Sequence, residues 1–247
     1  MTDVILGMGE VGTTLFELLE ERGVNCIGID SEKSKCKNYF ENKSVENVEL
    51  LHICIPGEIK DFEEVVKYWI NKMRGLKAIM IHSTVRPGTT KNIQKNLDLP
   101  VLFSPIRGVH RRFLEDMRRY SKFVSSDMPL DMEIKTGLEK RFEKIQWMST
   151  TKTAEFAKIL VDTAYYGWLI NYAQITKMIC DEEKIDFDEM WKFADEIHEK
   201  LGNRPKMYPG IIGGHCVIPN LNLVNNESLE MIKKINELFE KYHNSKN

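Results

Sequence analysis

Two stretches of this chain carry residue types at spacings that can do chemistry: a glycine-rich hexapeptide near its start and a thiol in a glycine-rich loop near its end. Gly7-Met8-Gly9-Glu10-Val11-Gly12 follows the apolar run Val4–Leu6 and opens an amphipathic stretch. In a strand–turn–helix setting, the first glycine of GxGxxG permits the tight turn, the second lets backbone approach a pyrophosphate, and the third lets helix and strand pack closely. The helix start adds unpaired N–H groups and positive potential. Asp30 closes the next apolar run, where a carboxylate accepts hydrogen bonds from a ribose 2′-hydroxyl and repels a 2′-phosphate, so NAD is expected over NADP. A glycine turn with no ligand, and an S-adenosylmethionine site, are the competing readings of the same residues.

The second stretch is Gly213-Gly214-His215-Cys216. The chain has five cysteines, at positions 26, 36, 54, 180 and 216, without CxxC spacing. An odd count so spaced predicts reduced thiols rather than a disulfide framework or a zinc site, and no metal is expected. Cys26, Cys54 and Cys180 sit in apolar stretches and read as inert core residues. Cys216 differs, because a glycine-rich loop can expose a thiol and a neighbouring cation can favour its thiolate. His215 reads as a loop-fixing hydrogen bonder rather than a base.

The elements that must position these residues follow from apolar periodicity. Val4–Leu6, Cys26–Ile29, Leu50–Ile55, Ala78–Ile81 and Val101–Phe103 read as strands alternating with helices, and Lys122–Val124 and Ile145–Met148 extend the set. That rhythm predicts an α/β fold, a doubly wound and mostly parallel Rossmann sheet over residues 1–150. From Lys152 the spacing becomes helical through about Cys180, then again from Asp186 to Leu201 and from Ser228 to Tyr242, with a Gly/Pro-rich loop over residues 202–219. Residues 151–247 are therefore expected to form a smaller helical domain that carries the Cys216 loop.

Composition excludes several function classes. The formal net charge of −2 and 29% charged residues describe an ordinary globular surface. The densest basic cluster, Arg107, His110, Arg111, Arg112, Arg118 and Arg119, is interrupted by Glu115 and Asp116, so nucleic acid is not an expected partner. Apolar runs are too short to cross a bilayer and no basic leader precedes the first strand, so a cytoplasmic protein without membrane contact is expected.

Five segments, in order, resemble the UDP-glucose/GDP-mannose dehydrogenase family. Gly28-Ile29-Asp30 with Lys33 and Lys35 is similar to its second strand, and His82-Ser83-Thr84-Val85-Arg86-Pro87-Gly88-Thr89-Thr90 to its STVxPGTT loop. Phe103-Ser104-Pro105 stands where the family has S/N-P-E, Ala154-Glu155-Phe156-Ala157-Lys158 resembles the start of its central helix, and Tyr208 to Pro219 resembles PGxGxGGHC-I/F-P. The resemblance implies NAD as cofactor, Cys216 as a nucleophile toward an aldehyde, and Lys158 with Asp162 stabilising an oxyanion and ordering water from one helix face at i, i+4 spacing. Thr163 competes with Asp162 for that match. Asn220, where the family has aspartate, completes the candidate catalytic set; Gly7, Met8, Gly9, Glu10, Val11, Gly12, Asp30, Pro56, Ser83 and Thr84 form the candidate cofactor set.

Three features depart from the family: Ile106 replaces a glutamate used in thioester hydrolysis, Asn220 cannot carry charge, and the family continues into a third domain that helps bind a nucleotide-sugar. Two readings follow. One is an NAD-dependent dehydrogenase acting on an alcohol or aldehyde of a sugar-like or other small substrate; the other is a non-oxidative nucleotide-binding protein or transferase on the same scaffold. The resemblance further implies a homodimer through the central helix, where Tyr165, Tyr166, Trp168, Leu169 and Tyr172 place apolar groups nearly all round.

Overall fold

A computed structural model describes residues 2–39, 45–95, 97–108, 112–202, 207–214 and 216–246. His110, Arg111 and His215 lie outside the described residues. The chain divides into two compact units, Met1–Lys158 and Ile159–Asn247. Residues 151–158, expected to belong to the second, pack with the first: Ala154 is buried in its core.

The first unit is built on seven strands, β1 (Thr2–Leu6), β2 (Asn25–Ile29), β3 (Val48–Ile53), β4 (Ala78–Ile81), β5 (Val101–Phe103), β6 (Lys122–Ser126) and β7 (Ile145–Met148), in the order β2-β1-β3-β4-β5-β6-β7. Every pairing is parallel except β5 with β6. The chain leaves β1 toward β2 on one side and returns to β3 on the other, which creates a crevice at the carboxyl ends of β1 and β3.

Side chains alternate across each strand, so apolar residues on both faces require cover on both faces. Leu51, Ile53, Ile79, Ile81 and Phe103 pack with Phe62, Val66 and Ile70 of α2 (Phe62–Ile70) and Ile93 of α3 (Thr89–Gln94). Ile5, Leu50, Met80, Leu102 and Val124 meet Leu15, Phe16 and Leu19 of α1 (Glu10–Glu21) and Leu138 of α5 (Met132–Arg141), with Met117 of α4 (Phe113–Arg119) at the margin. Helix α6 (Thr151–Ala157) completes this unit. Thr150 caps it by accepting a hydrogen bond from the Thr153 N–H.

The second unit is helical. A π-helical segment, Lys158–Ala164, leads into α7 (Tyr165–Glu183), followed by α8 (Phe187–Leu201), α9 (Val217–Leu221) and α10 (Glu227–Lys246). Helix α9 falls within and beyond the stretch expected to be only loop. Asp186 caps α8 by accepting from the Glu189 N–H at 2.8 Å. One apolar cluster joins Ala164, Ile212, Val217, Leu221, Leu229 and Ile232; another joins Ala173, Cys180, Phe187 and Trp191. Tyr165, Tyr166, Trp168 and Tyr172 of α7 are exposed within the chain, while Leu169 is half-buried.

Candidate active site

The glycine turn after β1 is fixed by contact as well as by conformation. Gly7 has φ +93°, and a Cβ on Gly12 would lie 1.8 Å from the Gly7 carbonyl oxygen, so no side chain fits there without breaking the turn. Gly9 is the N-cap of α1, with no side-chain cap and open space where its own Cβ would stand. Glu10, Val11 and Gly12 form the first turn beyond it, whose N–H groups point along the helix axis ahead of the i→i−4 ladder. A backbone cradle open on one side, at a helix start, is what a pyrophosphate requires.

Asp30 lies just past β2 and reaches back over this turn. Its Oδ2 accepts the Met8 N–H at 2.7 Å and its Oδ1 the Glu32 N–H at 2.9 Å. Oδ1 also accepts the Ser31 hydroxyl at 3.4 Å, so the carboxylate is oriented from two sides and Oδ2 keeps a lone pair for a ribose hydroxyl. The loops after β3 and β4 are tied together on the same edge: the Ser83 hydroxyl donates to the Ile55 carbonyl, and a Cβ on Gly57 would lie 2.0 Å from the Thr84 carbonyl oxygen. Backbone of Cys54 and Ile55 touches Gly7. Gly7 to Gly12, Pro56, Ser83 and Thr84 are thus brought to the carboxyl edge of β1, β3 and β4, with Asp30 at the end of β2; the residues fit a dinucleotide.

Glu155 explains why the loop after β4 holds its shape. This buried carboxylate accepts from the N–H of Gly88 and from both the N–H and hydroxyl of Thr90, at 2.9 and 2.6 Å for the latter two. It closes the start of α3 from α6. Burial pushes its carboxyl up from the usual range, against these hydrogen bonds.

Further along the carboxyl edge, Arg107 and Lys158 gather around a third cation, Lys122, which has no motif in the sequence to mark it. Lys122, the first residue of β6, donates to the Ser104 carbonyl at 3.0 Å and lies 3.4 Å from that of Pro105. Its amine is enclosed although the residue is half-buried. Enclosure, with Arg107 and Lys158 nearby, brings it down to about 7, partly opposed by Cys54. Arg107 donates to the Ser121 carbonyl and lies over the rings of Tyr120 and Phe123. Ile106 is buried beside these cations. Of the basic cluster, Arg118 pairs with Glu21 and Arg112 with Asp116, so these cations are met within the chain.

Behind Lys122 stand Asp3, His52 and His82, buried on an otherwise apolar sheet face. The sequence did carry a sign of them: Leu50-Leu51-His52-Ile53 and Ile81-His82 place imidazoles in runs that otherwise read as fully buried strand. Arg141 donates twice to Asp3 at 2.6 Å, and holds its carboxyl below the usual range against a burial that would raise it.

In the second unit, Cys216 is exposed and forms the N-cap of α9, with Asn220 buried one turn on. The loop leading to it is anchored by three buried amides. Gln174 donates to the Gly210 carbonyl at 2.6 Å; Asn236 accepts the Ile212 N–H at 2.7 Å and donates to the Ile212 carbonyl; Asn171 donates to Gln174. Lys158 closes the first unit, while Asp162 is exposed and Thr163 buried in the second. The segment is π-helical, with an i→i+5 ladder, so the α-helical i, i+4 stacking expected of Lys158 and Asp162 is not its geometry. Cys26 and Cys180 are buried as expected. Cys54, expected inside a strand, lies just past β3 beside Lys122. Burial pushes the Cys26 and Cys54 thiols up to about 12. Among the described residues no cluster of His, Cys, Asp or Glu is arranged for a metal ion, and no helix is long and apolar enough to cross a membrane.

No family model matches the chain. Over 278 aligned positions, however, it is 23% identical to a UDP-N-acetyl-D-mannosamine dehydrogenase from Methanocaldococcus jannaschii, with 95% of this chain and 64% of the relative covered. The chain is similar to nucleotide-sugar dehydrogenases. It spans just under two thirds of the length of that curated relative. The fold agrees: a UDP-D-ManNAc dehydrogenase from Pyrococcus horikoshii superposes with a TM-score of 0.80 at 18% identity, covering 98% of this chain and 69% of its own. A 3-hydroxyisobutyrate dehydrogenase from Mycobacterium tuberculosis gives 0.67 at 14% identity, covering 98% of this chain and 93% of its own.

Proposed function

We propose that this protein is an NAD-dependent oxidoreductase that acts on an alcohol or aldehyde group of a sugar-like or other small substrate. The observation that carries this reading is the cradle of Gly7 to Gly12 at the β1/β3 crevice, faced by an oriented Asp30 carboxylate. Calorimetric titration with NAD, NADP and S-adenosylmethionine tests it: NAD should bind most tightly, and preferential binding of S-adenosylmethionine would replace it with a transferase.

When bound, NAD supplies the hydride acceptor. Glu10, Val11 and Gly12 would receive the pyrophosphate on their N–H groups, Met8 and Asp30 the adenosine ribose, and Pro56, Ser83 and Thr84 the nicotinamide half. Lys158, Asp162 and Asn220 are assigned to polarising a carbonyl and ordering water, and Cys216 to adding to an aldehyde as its thiolate. Ile106 offers no carboxylate to activate water for thioester hydrolysis, which favours a reaction that stops after one hydride transfer. The same substitution, with Asn220, supports a second reading, a non-oxidative nucleotide-binding protein. The exposed aromatic residues of α7 support a homodimer, and the protein is assigned to the cytoplasm.

A further inference from the structure

A line of polar side chains crosses the sheet face beneath α1, α4 and α5, and neither the thiol nor the cofactor cradle uses it. Asp3 Oδ2 is 3.1 Å from His52 Nε2, and His52 Nδ1 is 2.9 Å from His82 Nε2. His82 Nδ1 faces the Ser104 carbonyl at 2.8 Å and Lys122 Nζ at 3.2 Å. We propose that Lys122, His82, His52 and Asp3 form a proton relay, in which a proton taken up by the Lys122 amine at the carboxyl edge of the sheet passes through both imidazoles and is held on His52 against Asp3.

The hydrogen-bond geometry permits two arrangements of one mobile proton. In the first, Lys122 is an ammonium that donates to His82 Nδ1; His82 Nε2–H donates to His52 Nδ1, and His52 Nε2–H donates to Asp3. In the second, Lys122 is a neutral amine, His82 Nδ1–H donates to the Ser104 carbonyl, and His52 is an imidazolium donating to both His82 and Asp3. The two hold the same number of protons and differ only in which end of the line is charged. No donor is left facing a donor in either; in the first, His82 Nδ1 and the Ser104 carbonyl are two acceptors 2.8 Å apart, both served by the Lys122 ammonium, which favours the second.

Charge at the far end fits a proton arriving there. Asp3 and Glu49 are carboxylates around one guanidinium, Arg141, which reaches Glu49 at 2.9 Å. His52 as a cation brings these four groups to neutrality, while Lys77, which pairs with Glu133 and lies 3.7 Å from Glu49, stands at the solvent margin. At the near end Lys122 is faced by His82, by Cys54 after β3, by Arg107 after β5, and by Lys158 at the end of α6. From just past α5 comes the Phe142 ring; from α4, Asp116, paired with Arg112, lines the same small cavity. Arg107 and Lys158 disfavour a proton resting on Lys122, so it is driven inward.

This inference rests on the dehydrogenase reading for the source of the proton. Oxidising an alcohol breaks a C–H bond, whose hydride goes to the nicotinamide, and an O–H bond, whose proton needs a base. Ile106 supplies none, and Lys122 is bonded to the carbonyls of the two preceding residues. As the O–H bond breaks, an N–H bond forms on Lys122; His82 Nδ1 gains a proton as Lys122 loses one, and His52 Nδ1 gains one as His82 Nε2 loses one. Only the proton travels along the line.

The test uses the full chain without substrate. Nitrogen-15 NMR of the histidine rings should show Lys122→Met fixing His52 as imidazolium with His82 protonated at Nδ1, and Lys122→Arg fixing the opposite tautomers. In the unsubstituted protein, competitive acylation of Lys122 against pH should share one midpoint with the His52 ring shifts, as expected for one proton shared between coupled sites. Identical ring states in the two variants, or separate midpoints in the unsubstituted protein, overturn the relay; the latter needs no variant to fold. If NAD fails to bind while the tautomers switch, the dehydrogenase reading falls and the relay stands.

Discussion

Cys216 and the buried thiols offer a direct comparison at the level of single residues. An exposed thiol on a glycine-rich loop should be carbamidomethylated by iodoacetamide well before Cys26 and Cys54, whose thiols burial pushes up to about 12. Peptide mapping gives the order, and a Cys216 that lags behind either removes it as a nucleophile. Asp30 makes a second prediction. Its Oδ2 is turned toward the glycine turn and its Oδ1 is held by the Glu32 N–H, so Asp30→Ala should reduce the preference for NAD over NADP about tenfold, as calorimetry reads it. These residues were legible in the sequence because their surroundings are local: Gly7 to Gly12 carry their own turn, and Asp30 closes a strand. Lys122 was not, since a lysine opening a short strand reads as a surface charge. Only the antiparallel return of β6 beside β5 places it under the Ser104 and Pro105 carbonyls.

Helices and loops here are held by polar groups that reach across sequence. Glu155 of α6 accepts three hydrogen bonds from the start of α3. Glu155→Gln turns an amide nitrogen toward an N–H donor, and should cost about 1–3 kcal/mol in urea unfolding for the unpaired group left behind. The amides of Asn171, Gln174 and Asn236 do the same for residues 210–212. Asn236→Leu should destabilise the protein by a comparable amount, about 1–3 kcal/mol, and speed hydrogen exchange at Ile212. Helical periodicity gave the positions of α7, α8 and α10 because apolar residues recur along them, even though Asn171, Gln174 and Asn236 interrupt the buried stripes of α7 and α10. It missed α9, whose five residues are too few to show a period and which contains Pro219. It also missed the π-helical segment, because a widened turn leaves no signature in residue type.

The whole molecule should respond to pH through Lys122. Its amine is lowered by burial to about 7 from an ordinary 10.5, so the unfolded chain binds the proton more readily between these values. Stability should therefore rise as pH increases from 7 toward 10.5, and Lys122→Met should flatten that rise relative to the unsubstituted protein in paired urea melts. Asp3 works in the opposite range. Its carboxyl is held below 3.8, so the stability it lends is present above that pH and fades as acid protonates it in the fold. Assembly belongs to this scale too: light scattering at micromolar concentration should report a dimer if the aromatic face of α7 is an interface. The alternation of strands and helices announced the parallel sheet, while the antiparallel step at β6 had no local mark.

The Glu155 contacts also decide where this polypeptide can be cut. A fragment ending at residue 150, the boundary suggested by strand and helix pattern, would strip the start of α3 of its acceptor and uncover the core around Ala154. One ending at residue 158 keeps both. Anyone excising the strand-bearing unit for crystallisation or domain grafting should carry α6 with it.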